Sequence, residues 1–386
     1  MAQGSPDALE AQDIEFPEID YTPYHIEYLS EEDYKTLLMY RHYAPKTMIE
    51  VFMIDNVTCH IESALPNSWS ANTFTVLGNI PLYFAGITAL VVGGTKYNIE
   101  MPSWVYYVAA VAVTTFSWFD IMDGQRARRL KCGTPIGRII DEAGDAFQYT
   151  WVAFIVGYIV QVPPGWLCLS FGLINLPQYS FEMKFVLSGD LQITSGNFDV
   201  GPIEMEMIYT IIFLLAAIFG TTGIEKSIDL YFVSVQFNQL VCCFFIFLLV
   251  FFSFDALKES VALNVPLTLR MLATPLFILG QAILAAYFGV YTFEKSFALF
   301  HLMYSFTFNI GIYRLMISNM TNKAASFMPV HIENVIAALP LAAHLLAKNQ
   351  IEKDFIEPLM TLIAVCSLIL LYWVYILLLS GQYLAR

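Results

Sequence analysis

Four aspartates carry the densest chemistry in this chain. Asp120 and Asp123 stand three residues apart, and Asp141 and Asp145 four apart. Either spacing places its pair on one face of a helix. Two such faces turned toward each other make a cage of four carboxylates. Like charges packed so closely resist ionisation unless something compensates them. Divalent metal is the ordinary compensation, and hard oxygen donors suit Mg²⁺, Mn²⁺ or Ca²⁺. Two ions about 3.5–4 Å apart would form the clamp used in phosphoryl transfer.

The residues around the aspartates fit a phosphorylated ligand. Gly124, Ala127 and Gly137 are small, which lets a helix or a ligand's sugar and base approach where a larger side chain would collide. Arg128 lies a helical turn and a little past Asp123, within reach of a phosphate oxygen, and Lys131 is placed to hold a second phosphate. Taken singly, acidic helix ends are often only solvated, and basic loops are often only topology signals. The combined spacing, D-x2-D-G-x2-A-R-x8-G-x3-D-x3-D, is too specific for either reading.

Positioning these side chains falls to apolar helices. Of 386 residues, 57% are hydrophobic and 13% charged, far below the charge of a soluble domain. The sequence predicts an all-α polytopic membrane protein with about ten transmembrane helices. They fall near 75–94, 104–122, 147–162, 165–182, 206–222, 236–254, 272–293, 297–318, 331–347 and 359–380. The polar stretch 183–205 is expected to be a loop. Residues 1–46 form an acidic polar N-terminal segment and 47–66 an amphipathic helix at the interface, leaving 67–386 as the transmembrane domain. The acidic head, within a net charge of −14, excludes nucleic acid as a partner. Arg126, Arg128, Arg129, Lys131 and Arg138 crowd the connection after the second span and put it on the cytosolic or matrix side.

The aspartate string is the signature of the CDP-alcohol phosphotransferase family, and the chain resembles its eukaryotic choline/ethanolamine phosphotransferases. Trp69 to Gly78, with Asn72 and Thr75, is similar to their motif ahead of the first helix, although Ala71 stands where proline is usual. The stretches Ser188-Gly189, Phe198-Asp199-Val200 and Tyr313 to Ile317 also resemble theirs.

The resemblance implies transfer of phosphocholine or phosphoethanolamine from a CDP-alcohol to diacylglycerol, with release of CMP. It implies two Mg²⁺ or Mn²⁺ ions held by Asp120, Asp123, Asp141 and Asp145, with Asp145 also the general base. Asn72, Gly124, Ala127 and Arg128 would line the nucleotide and diphosphate. It further implies a homodimer in the endoplasmic reticulum or Golgi membrane, the mitochondrial inner membrane being the alternative. Asp145, at the mouth of an apolar span, is placed to meet a lipid hydroxyl.

Two positions depart from the eukaryotic pattern. Arg138 stands where glutamate is usual, and Glu142 where histidine is usual. They motivate a second reading: a family member with weakened chemistry, kept as a structural subunit of a larger membrane complex. The six cysteines show no metal-binding or disulfide spacing, and His301 is expected to be structural.

Overall fold

The computed structural model describes residues 46–94, 99–161, 169–170, 173–188, 201–222, 227–230, 233–287, 297–321, 332–346 and 353–384, with the isolated positions 32 and 36. Most of the acidic segment, Lys35 and the stretch 189–200 lie outside the described residues.

The chain enters on α1, which runs Met48–Met53, passes through a π-helical turn at Ile54–Thr58 and continues as Cys59–Ala64. Then come α2 (Ala71–Gly93), α3 (Ser103–Arg129), α4 (Pro135–Val160), α5 (Leu176–Ser188) and α6 (Pro202–Phe219). A short antiparallel hairpin follows, β1 (Ser227–Leu230) paired with β2 (Val233–Gln236). The remainder is α7 (Phe237–Leu263), α8 (Val265–Tyr287), α9 (Phe297–Met320), α10 (Ile332–Ala337), α11 (Leu339–Leu346) and α12 (Lys353–Leu384). Among the described residues, α2, α3, α6, α7, α8 and α12 are the six helices long and apolar enough to cross a membrane. The chain is an integral membrane protein.

Two expected boundaries move, each for a physical reason. Residues 183–188, expected in a loop, belong to α5. Their one charge misleads because it is buried: Lys184 Nζ lies 2.6 Å from Glu259 Oε2 on α7. Residues 202–205 are likewise helical, with Pro202 opening α6 and Glu204 Oε2 accepting from Gly201 N at 2.7 Å. The expected span 331–347 is divided into α10 and α11, broken just before Pro340, which lacks an N–H and collides with the preceding turn.

The helices that carry the aspartates begin and end on local signals. Ser70 Oγ caps α2 by accepting from Thr73 N, and Thr134 Oγ1 caps α4 from Gly137 N at 3.0 Å, with Pro135 opening the helix. Arg126, Arg128 and Arg129 occupy the last turn of α3, where cations complement the helix dipole. The reversal into α4 is tight, and Lys131 takes a left-handed φ of 51° within it.

α2 packs along α3 and α4, and α3 packs along α6. Gly86 on α2 receives the Trp151 indole of α4 in direct contact, so any Cβ there would drive the two helices apart. α9 is buried on nearly every side and joins α4 through polar contacts. His301 Nε2 lies 2.7 Å from Thr150 O, and Asn309 Nδ2 donates to Ala146 O at 3.2 Å. The structural role expected of His301 is thus visible.

Candidate active site

Asp120 and Asp123 occupy the last turns of α3, and Asp141 and Asp145 the first turns of α4. One carboxylate oxygen from each of Asp120, Asp123 and Asp141 lies within 4.8 Å of the others. Asp123 is buried and accepts a hydrogen bond from Thr75 Oγ1 on α2, which fixes its rotamer. Asp141 is half-buried, and its Oδ1 has no partner among the described residues. Three converging carboxylates with an unused buried oxygen are what a hard divalent cation requires, and the donor set fits one. Asp145 stands one turn further along α4, outside this trio, in the wall of a cavity.

The ligand residues read from the sequence come together in pairs. The Arg128 guanidinium folds back over Gly124, so that a Cβ at Gly124 would meet it at 3.2 Å. A Cβ at Gly137 would lie 3.1 Å from Asn72 Oδ1, so these two face each other across α2 and α4. Ala127 is half-buried beside Gly133, and Arg128 and Lys131 are exposed. Arg128 thus lies against Gly124, and Asn72 against Gly137.

The other basic residues are already engaged. Arg126 is fully buried. Its Nε lies 2.6 Å from Glu62 Oε1 on α1, it donates to the carbonyls of Glu62 and Pro66, and its guanidinium covers the Phe74 ring at 4.9 Å. Arg129 donates to both oxygens of the same carboxylate at 2.9 Å. These two arginines tie α1 across the end of α3. Thr47 secures the other end of α1, donating to Glu204 Oε1 on α6 at 2.5 Å.

That docking brings in a cation the sequence did not single out. Lys46, just ahead of α1, lies 3.9 Å from Glu50 and within the field of Arg128. Burial first, and then the like charge of Arg128, lower its ammonium to about 8. Burial raises the Glu50 carboxyl above its ordinary value, against the pull of Lys46 and Arg128.

The fifth cation of the connection, Arg138, is buried against α5. Its Nη2 donates to Glu182 Oε1 of α5 at 2.5 Å, its Nε lies 3.7 Å from Glu142 Oε1, and it covers the Phe185 ring at 4.7 Å. The two positions that depart from the eukaryotic pattern are therefore tied to each other and to a third residue. Thr75, Glu62, Glu182, Gln178 and Lys46 were not identified as site residues from the sequence. Only Thr75 carried a local signal, one helical turn after Asn72 in the motif ahead of the first span.

The carboxylate trio lies where α3 and α4 meet, in a chain whose apolar helices are long enough to cross a membrane. Residues 68–235 match the family described as CDP-alcohol phosphatidyltransferase, and the chain carries a domain of that family. It is 29% identical over 122 residues to the CDP-alcohol phosphatidyltransferase class-I family protein 2 of Dictyostelium discoideum, covering 32% of this chain and 29% of the relative. It is 25% identical over 179 residues to cholinephosphotransferase 1 of Gallus gallus, covering 45% and 51%. With choline/ethanolaminephosphotransferase 1 of Saccharomyces cerevisiae it shares 26% over 166 residues, covering 42% and 40%. The chain thus aligns with at most about half the length of these relatives.

Proposed function

We propose that the protein transfers a phosphoalcohol, phosphocholine or phosphoethanolamine, from a CDP-alcohol to the hydroxyl of a lipid alcohol, with diacylglycerol as the reference acceptor, and releases CMP. The observation that carries this reading is the placement of Asp145. It lines a cavity with apolar walls while the Asp120–Asp123–Asp141 trio lies a turn away.

Asp120, Asp123, Asp141 and Asp145 would hold two Mg²⁺ or Mn²⁺ ions. When bound, these ions supply charge neutralisation for the diphosphate and its leaving group. Arg128 and Lys131 bind the donor's phosphate oxygens, Asn72 and Gly137 border its sugar and base, and Gly124 and Ala127 leave room for it. Asp145 accepts the proton of the lipid hydroxyl. The hydroxyl oxygen then forms a bond to the β-phosphorus. The bond from that phosphorus to the bridging oxygen breaks, and CMP leaves with the electron pair. Apolar walls exclude water, so the lipid hydroxyl is favoured over hydrolysis.

The Arg138–Glu182–Glu142 arrangement supports the second reading, a weakly active or inactive subunit of a larger membrane complex, because it fills with a closed ion pair the positions where the eukaryotic pattern carries an acid and a histidine. One experiment separates the two. Purified full-length protein is supplied with CDP-choline or CDP-ethanolamine, diacylglycerol and Mn²⁺, and CMP is measured. Metal-dependent release supports the transferase. No release under any metal, together with stoichiometric co-purification in a large assembly, supports the subunit.

A further inference from the structure

The cavity beside Asp145 has a mixed lining. Ile174, Phe181, Met205, Leu249 and Phe252 give it an apolar wall, and Glu142, Gln178 and Glu182 give it a polar end. Two acceptor atoms at that end are buried without a hydrogen-bond partner among the described residues, Gln178 Oε1 and Glu182 Oε2. The other halves of both side chains are engaged. Gln178 Nε2 donates to Glu142 O at 2.9 Å, and Glu182 Oε1 accepts from Arg138. Each side chain is therefore held in place with one oxygen left over. Gln178 and Glu182 are both more than nine-tenths buried. Buried acceptors are costly to leave unpaired, so a site built this way favours a ligand that brings donors to it.

Diacylglycerol carries a single hydroxyl. If that hydroxyl reacts at Asp145, nothing on the lipid remains to donate to Gln178 or Glu182. We infer that this cavity selects a lipid alcohol bearing a second hydrogen-bond donor beside the reacting hydroxyl, of the kind found in a monoacylglycerol. The apolar wall holds the acyl chain, Asp145 takes the proton of the reacting hydroxyl, and the second hydroxyl donates its one proton to Gln178 Oε1, beside Glu182 Oε2. The inference rests on the transfer reaction proposed above and narrows its acceptor. Bonds made and broken at phosphorus are the same.

The test compares 1-monooleoylglycerol with 1,2-dioleoylglycerol, using the full-length protein in detergent, CDP-ethanolamine and Mn²⁺. Thermal unfolding with each lipid alone, without donor or metal, is measured in parallel. The expected result is kcat/KM about tenfold or more in favour of monooleoylglycerol, with a larger rise in Tm from the same lipid. Gln178→Met keeps the size of the side chain and removes the acceptor, and should shrink both preferences. Glu182→Gln keeps one oxygen and should change them less. Equal use of the two lipids, or preference for dioleoylglycerol, overturns the inference and leaves the transferase reading standing. If no lipid is turned over, the transferase reading falls, and the unfolding data decide the inference alone. Greater protection by monooleoylglycerol that is lost in Gln178→Met upholds it, and equal protection overturns it.

Discussion

The two flanks of the aspartate cluster are built on different terms. On the side of α1, α2 and α3 the charged groups are tied down. Arg126 and Arg129 share Glu62, and Asp123 is held by Thr75. Uncharged groups there are less complete: both side-chain polar atoms of Gln125, Asn79 Oδ1 and Tyr106 OH have no hydrogen-bond partner among the described residues. On the side of α4, α5 and α6, Gln148, Gln178, Glu182 and Glu206 are all buried, and each has at least one oxygen unpartnered among the described residues. Satisfied polar networks rigidify a structure, whereas buried groups left unpaired need a function to explain them. On the proposed reading, the first flank would hold the donor in fixed geometry. The second would receive a ligand that completes the hydrogen bonding.

The largest stability effect should fall on the tied flank. Glu62→Ala should be the more damaging change, about 3–5 kcal/mol, since it leaves the fully buried Arg126 without its carboxylate. Thermal unfolding of the purified protein checks this. Arg126→Ala removes a buried charge-assisted contact but leaves Glu62 paired with Arg129, so it should cost about 1.5–3 kcal/mol. A loss in either variant no larger than that of an exposed substitution would break the claim that α1 is clamped to α3.

How far this contrast could be seen in the sequence depends on the range of the interactions. The aspartate spacing was legible because it follows the helical period, and the cap at Thr134 with Pro135 is equally local. The use of the arginines was not. Arg126 reaches Glu62 across 64 residues and Arg138 reaches Glu182 across 44, and no local pattern encodes such a pair. In sequence, all five cations of the connection read as one topology signal. In the structure three are consumed by carboxylates, while Arg128 and Lys131 are exposed. The same blindness misplaced residues 183–188, because a lysine buried against a distant glutamate and a lysine in a solvated loop read alike.

Smaller effects sharpen the division between flanks. Arg128→Ala should weaken donor binding by about 1.5–3 kcal/mol, the scale of a charge-assisted hydrogen bond, and should leave the acceptor KM alone. A donor KM equal to that of the unaltered protein would remove Arg128 from the site. Thr75→Val deletes the hydroxyl that orients Asp123 while preserving volume. Groups that orient metal ligands typically contribute 10–100-fold in metal affinity or activity. The Mn²⁺ concentration giving half-maximal CMP release should therefore rise by about that factor. An unchanged Mn²⁺ dependence would mean that Thr75 does not orient a metal ligand. Arg138→Glu combined with Glu142→His restores the eukaryotic pattern but places a carboxylate against Glu182. It is expected to lower Tm without raising CMP release. A gain in release with an unchanged Tm would favour the subunit reading, in which the native pair has displaced the chemistry.

The central claim is that Asp145 is the base serving a lipid hydroxyl beside a metal-binding trio. Its most direct test is the rate of metal-dependent CMP release by the purified protein and by Asp145→Asn, with the folded state of both verified by thermal unfolding. A positioned base contributes about 10²–10⁴-fold, so the variant should lose turnover by that factor while remaining folded. Asp145→Asn turnover within a few-fold of the unaltered protein, or no metal-dependent turnover by the unaltered protein, would contradict the account.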